Sequence, residues 1–210
     1  MTKRRNGSNM FTWGKHLIRV VHNFATPDEL SILDDYLKSL PDFHTKSVSW
    51  LDFIEAEHLP EYKIDDPNVE KVMRELNTRT NKYITEVYFP ESELSVIRDN
   101  GNRELELVRW SAMSHLAPHS DWRLADGSPY PLTLPQFTIG SLIYINKDYA
   151  GGEINFPDYD FKLDPQPGDL ILFPCQYMHE VLQVLPLKGK EKANRYTMPV
   201  FYWFDLEEKE

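Results

Sequence analysis

Beyond Pro90 the texture of the chain changes. Seven short runs rich in β-branched and aromatic residues, LSVI, ELELVRW, FTIGSLIYIN, GEINFP, DLILFP, HEVLQVL and RYTMPVFYWF, follow one another with Pro, Gly and Asp between them. Runs of this length, separated by turn-forming residues, read as strands of an antiparallel sandwich or barrel. Two helical stretches come before them. In TPDE, Thr26 supplies a capping hydroxyl, Pro27 fits the first helical position, and Glu29 can reach back to the cap amide, so a helix spans 27–40 and stops at Pro41. A second helix opens near Asp66 and Pro67, with Val69, Val72, Met73, Leu76, Tyr83, Ile84 and Val87 recurring mostly at intervals of three and four. HLIRVVHNF, residues 16–24, reads as a strand, and the segment 40–66 as loops with one strand. Helices first and strands afterwards predict an α+β fold in which the helices cover one face of an antiparallel double sheet.

The length of 210 residues accommodates one sizeable core, and no linker divides it. The expected organisation is a single domain over 1–210, with a flexible arm at 1–10, a helical support region at 11–90 and the strand-rich core at 91–210. A hydrophobic fraction of 41%, without an apolar run near the roughly eighteen residues of a membrane span, predicts a protein with no membrane partner. MTKRRNGSNMFTWGKH has a basic cluster but no apolar segment after it, so a signal peptide is not expected and the expected location is cytoplasmic. The single cysteine, Cys175, can form no internal disulfide and is expected to be a small buried hydrophobe. A net charge of −10 argues against binding to a nucleic-acid backbone, which requires clustered Lys and Arg.

In LAPHSDW, residues 116–122, His119 and Asp121 stand two positions apart. On an extended strand such side chains leave one face and can converge on a point. A bare His-x-Asp is more commonly two polar residues on a wet strand face, so the tripeptide alone decides nothing. His179 is the natural third ligand, following the turn at Pro167-Gly168, the buried run LILF and a second break at Pro174. Two imidazoles and one carboxylate with open positions form the facial triad of non-haem Fe(II) oxygenases. A dicarboxylate cosubstrate needs a cation at its far end; Arg195 in NRYT suits it, with Thr197 on the same strand face.

The run from Trp110 to Phe204 resembles the catalytic domain of the Fe(II)/2-oxoglutarate dioxygenases, in particular the prolyl 4-hydroxylase-like branch. The matching pieces are PHSD, SLIYIN followed by YAGGEINFP, PQPGDLILFP, HEV and RYT, in the family's order. The resemblance implies a double-stranded β-helix, that is, a jelly-roll or cupin-like barrel, with supporting N-terminal helices. It implies His119, Asp121 and His179 as iron ligands, and Arg195, Thr197 and Tyr144 as holders of the 5-carboxylate of 2-oxoglutarate. The cofactors implied are Fe(II), 2-oxoglutarate as cosubstrate, and ascorbate. The reaction implied is hydroxylation of a prolyl residue in a peptide or protein, with release of succinate and CO2; the alternatives are the same chemistry on a small molecule or nucleobase, or a non-catalytic metal-binding module. Gly151 and Gly152 match the family's tight turn before GE.

The chain departs from the family pattern in three places. Trp110 stands where many relatives carry a cosubstrate-contacting tyrosine, so an indole N–H or apolar packing takes over there. Met113 replaces a common glycine. An insertion around LKGKEKAN lengthens the interval from His179 to Arg195 and brings in Lys188 and Lys190 as alternative cations, although both lie in a polar stretch while Arg195 opens a strand. His16, His22, His44, His58 and His115 are expected to play no ligand role. Asp158 and Asp160 are expected in a turn after Pro157, Tyr202, Trp203 and Phe204 to alternate between core and surface, and Trp122 or Trp203 to border a substrate entrance. The segment 40–66 and the loop 122–136 are the expected walls of a substrate groove.

Overall fold

A computed structural model of the protein describes residues 17–40, 45–48, 55–88, 94–97, 105–121 and 136–208. Strand β1 (Arg19–Val21) leads into helix α1 (Pro27–Ser39), and β2 (Thr45–Val48) and β3 (Glu55–Pro60) precede helix α2 (Pro67–Tyr88). Eleven strands follow: β4 (Leu94–Ile97), β5 (Glu106–Ser111), β6 (Leu116–His119), β7 (Gln136–Tyr144), β8 (Ala150–Gly151), β9 (Ile154–Phe156), β10 (Phe161–Leu163), β11 (Leu170–Pro174), β12 (His179–Val181), β13 (Val184–Leu185) and β14 (Asn194–Glu208).

The capping box forms as the sequence predicts. The Glu29 amide donates to Thr26 Oγ1 at 3.3 Å, and the Thr26 amide donates to Glu29 Oε2 at 2.7 Å. Arg79 of α2 completes this corner, donating to Glu29 Oε2 at 2.9 Å and to the Phe24 carbonyl at 3.0 Å. Among the described residues of the segment 40–66 there are two strands rather than one, β2 and β3, paired antiparallel, with β3 added to the edge of β5. The strand expected over 16–24 is shorter, only Arg19–Val21. The arm 1–10, His16, His44, Trp122 and the loop 122–135 lie outside the described residues.

The large sheet runs in the order β1-β11-β7-β14-β5-β3-β2, with β4 paired to β14; a second sheet runs β10-β9-β12-β6, and β13 pairs with β8. Both faces of the large sheet are covered, and strand alternation sorts its side chains. Leu170 and Leu172 of β11 join Leu33 and Leu37 of α1 and Val69, Met73 and Leu76 of α2 in one cluster, whereas Ile171 and Phe173 join Ile154 and Phe156 of the small sheet in another. At roughly 1.5–3 kcal/mol for each large apolar side chain fully buried, these two layers supply most of the drive to fold. The result is an α+β fold of double-stranded β-helix type, with the helices on the outer face of the large sheet and the small sheet against its inner face. Among the described residues no helix is long and apolar enough to cross a membrane.

Candidate active site

The inner face of the large sheet follows from the same alternation. In β14, Tyr196 and Met198 point to the helices, so Arg195 and Thr197 point the other way. Arg195 is in register with Trp110 of β5, and Thr197 with Tyr144 of β7. Three neighbouring strands therefore present Trp110, Arg195, Thr197 and Tyr144 as one group, all buried.

The small sheet contributes the second group. His119 ends β6 and His179 begins β12; the two are paired across the strands, with ring centroids 4.2 Å apart. The Nδ1 of His119 lies 2.8 Å from the Ala117 carbonyl, and that of His179 2.9 Å from the Tyr177 carbonyl. A carbonyl only accepts, so each Nδ1 carries a proton and each Nε2 is the ring atom left facing the cluster. The Nε2 atoms lie 3.4 and 3.6 Å from the two carboxylate oxygens of Asp121. One donor atom from each of the three residues falls within 4.8 Å of the others. The extended geometry expected of His119 and Asp121 reaches only to His119; β6 ends there and Asp121 comes in from the turn that follows.

Burial lowers the pKa of His179, and the neighbouring His119 adds to the effect against the pull of Asp121, so the imidazole is held in its neutral, ligating form. Phe173 and Phe156 pack on the His179 ring at 4.6 and 5.8 Å between centroids, and both belong to the inter-sheet cluster that contains Tyr144. The two groups thus share the interior between the sheets. Two imidazoles and a carboxylate gathered on one side suit a divalent metal with further positions open.

Arg195 is 0% exposed, and none of its three guanidinium nitrogens has a hydrogen-bond partner among the described residues. Its guanidinium carbon sits 5.0 Å from the Tyr144 ring centre and 5.2 Å from that of Trp110. The Thr197 hydroxyl, the Tyr144 hydroxyl and the Trp110 indole nitrogen are buried and likewise without partners there. A buried cation ringed by unused donors is costly as it stands, and an entering carboxylate is the group that would satisfy it. Burial raises the pKa of Tyr144 although Arg195 opposes it, so the phenol stays protonated and able to donate.

Several supports were less legible in the sequence. Asn146 sits in the SLIYIN run but carried no role of its own. Its amide group donates to the Asn194 carbonyl at 2.8 Å and accepts from the Tyr196 amide at 2.9 Å, bracketing Arg195 on both sides. Gly152 (φ +67°) has Arg195 Cδ 3.0 Å from where a Cβ would stand, and for Gly151 (φ +66°) the Gln183 carbonyl oxygen would be at 2.1 Å, so this turn admits only glycine. Tyr149, the first residue of the YAGGEINFP run, is 1% exposed, with its hydroxyl buried beside Arg195, and had no role of its own in the sequence.

The departures resolve structurally. Met113 takes a left-handed backbone (φ +72°), the conformation that accounts for glycine elsewhere. The insertion forms an exposed turn, closed by the Lys190 amide on the Leu187 carbonyl at 2.9 Å, so Lys188 and Lys190 stay outside and the register of Arg195 is unchanged. His22 pairs with Asp169 and His58 with Glu106, while His115 lies against the Met113 carbonyl, outside the three-residue cluster. Cys175 and Tyr202 are buried, and Pro157–Tyr159 form a 3-10 turn with Asp160 left-handed after it.

The barrel thus holds two histidines of the small sheet and a carboxylate from the turn beside them, with a buried arginine on the large sheet. Residues 105–203 match the model of the 2OG-Fe(II) oxygenase superfamily. A viral collagen prolyl hydroxylase from Paramecium bursaria Chlorella virus-1, in complex with 2OG, shares the fold with a TM-score of 0.59 at 14% identity, over 91% of this chain and 97% of that one. A Trichoplax adhaerens prolyl hydroxylase in complex with a hypoxia-inducible-factor peptide fragment gives 0.61 at 16%, over 90% and 84%. HygX from Streptomyces hygroscopicus, with nickel, 2-oxoglutarate and hygromycin B bound, gives 0.57 at 15%, over 89% and 82%. Among curated protein sequences there is no match.

Proposed function

We propose that this chain is an Fe(II)- and 2-oxoglutarate-dependent dioxygenase that hydroxylates a prolyl residue of a peptide or protein. The observation that carries the reading is Arg195: a guanidinium with neither solvent nor an acceptor among the described residues, in the same interior as three metal-type donors. A metal-holding module without turnover has no use for that cation.

The donor set fits both groups. His119 Nε2, His179 Nε2 and the Asp121 carboxylate would hold Fe(II), a set that matches non-haem iron. Arg195, Thr197, Tyr144 and the Trp110 indole N–H would hold the distal carboxylate of 2-oxoglutarate. When bound, iron and cosubstrate supply the oxidation of a C–H bond by O2, with 2-oxoglutarate leaving as succinate and CO2. The chain's own work is positional. The backbone carbonyls of Ala117 and Tyr177 fix the imidazole tautomers, Phe156 and Phe173 keep water from His179, and Asn146 holds Arg195 in place. Ascorbate belongs to the proposal as an auxiliary reductant.

The peptide substrate is supported by two of the structural neighbours, a collagen prolyl hydroxylase and a prolyl hydroxylase bound to a peptide, and HygX with its hygromycin B marks the small-molecule alternative. The test is succinate formation by iron-loaded protein with 2-oxoglutarate, oxygen and ascorbate, with and without a library of proline-containing peptides, and with Asp121→Ala as control. Peptide-stimulated succinate that disappears in the variant, with a mass gain of one oxygen on a prolyl residue, is the expected result. Stimulation by free small molecules but by no peptide would overturn the substrate assignment and leave the chemistry intact.

A further inference from the structure

One more buried hydroxyl stands beside Arg195, from the tyrosine that opens the YAGGEINFP run and to which the resemblance gives no role. Tyr149 lies in the β7–β8 connection, immediately before the Gly151-Gly152 turn. It belongs to the cluster containing Trp110, Val108 and Val181, between the two sheets. Gly152 lets its ring approach: a Cβ there would stand 3.1 Å from Tyr149 Cε2 and 3.0 Å from Arg195 Cδ, so ring and guanidinium stem converge on one glycine. Lys147 covers the ring from one side, its Nζ 4.8 Å from the centroid. The hydroxyl is buried with no acceptor among the described residues, and both Arg195 and Tyr144 act electrostatically on it. Burial pushes its pKa up to about 12, against the pull of Arg195, so it carries its proton at neutral pH and faces a cation as a donor with nothing to donate to.

We propose that Tyr149 is a further cosubstrate-binding residue, whose hydroxyl donates to the distal carboxylate alongside Tyr144 and Thr197. This rests on the reading above that the Arg195 group receives that carboxylate. An ionised carboxylate offers about four lone-pair sites. The guanidinium fork fills two, and the hydroxyls of Thr197, Tyr144 and Tyr149 compete for the rest. The Trp110 ring, in the same cluster as Tyr149, lies 5.2 Å from the guanidinium carbon, so indole and phenol flank one cation.

The experiment is calorimetric titration of Mn(II)-loaded protein, wild type and Tyr149→Phe, with 2-oxoglutarate and with 2-oxovalerate, which keeps the chelating end and carries a methyl group in place of the distal carboxylate. Loss of a buried hydrogen bond to a charged group should weaken 2-oxoglutarate about tenfold in Tyr149→Phe and change 2-oxovalerate less than about twofold. The ligand-free melting temperature should hold or rise, because the substitution removes an unpaired buried hydroxyl. Equal 2-oxoglutarate affinity in the two proteins, or equal loss of both ligands, overturns the role of Tyr149. A wild type that does not prefer 2-oxoglutarate to 2-oxovalerate overturns the carboxylate reading of Arg195 itself, and this inference with it.

Discussion

Met113 shows most plainly how a single residue departs from its family yet obeys the same backbone. Its φ of +72° lies in a region that costs an L-residue roughly 1–2 kcal/mol, and its side chain is 51% exposed, with no burial to offset that cost. The conformation is set by its surroundings, because the Met113 amide must reach the Val184 carbonyl at 2.7 Å. Met113→Gly should therefore raise stability by about 0.5–1 kcal/mol, the relieved strain less the greater freedom of glycine in the unfolded chain, as read from urea denaturation. A loss would mean that the thioether makes a contact worth more than the strain. The site residues divide by the same logic. His119, Asp121, His179, Arg195, Thr197 and Tyr144 could be proposed from the sequence because their types are rare in apolar runs and their order matches a known constellation. Tyr149 and Asn146 could not. A tyrosine after Lys147-Asp148 looks like any loop aromatic, and only three-dimensional convergence on Gly152 and Arg195 reveals its place.

At the scale of elements, signals written in local chemistry were readable and those written in pairing were not. The box of Thr26 and Glu29 announced α1 because capping is a contact between residues three apart. β3 was illegible for the opposite reason. EAEHLP has little apolar alternation, and what holds it is across the sheet, the ion pair of Glu57 with Arg109 and the contact of His58 with Glu106, both from β5. The α1 corner yields a prediction. Burial acts to raise the pKa of Glu29, but hydrogen bonds from Arg79 and Thr26 outweigh it and bring it below its ordinary 4.5. A carboxyl held below its unfolded value contributes stability that is present above about pH 4.5 and disappears as pH falls through the folded value. Glu29→Gln should cost about 1 kcal/mol at neutral pH, and its denaturation midpoint should converge on that of wild type as the solution is acidified. A gap that stays constant with pH would place the loss in packing rather than in charge.

Over the whole molecule, the order of strands along the chain and the helical cover were legible, while the pairing order was not: β14 lies between β7 and β5, and β1 joins the far edge beside β11, contacts that depend on closure between residues far apart in sequence. That closure has a functional consequence. The three metal-type donors stand on the small sheet and the turn after β6, and the Arg195 group on the large sheet. On the proposed reading, a cosubstrate chelated at one end and held by Arg195 at the other ties the two sheets together, so each ligand should stabilise the fold in a separate step. At a hundredfold excess over Kd, a ligand that binds only the folded state adds about 2.7 kcal/mol, which for a chain of this size raises the melting temperature by roughly 5–10 °C. Mn(II) alone should produce one increment and 2-oxoglutarate with Mn(II) a second. Arg195→Met keeps a long apolar stem but removes the uncompensated buried charge. It should raise the ligand-free melting temperature, keep the Mn(II) increment and abolish the second, a pattern that thermal denaturation of the two proteins with and without each ligand distinguishes. If Arg195→Met instead lowered the ligand-free melting temperature and lost both increments together, the guanidinium would be a structural member of the barrel, and the separation of metal from carboxylate between the sheets would have to be abandoned.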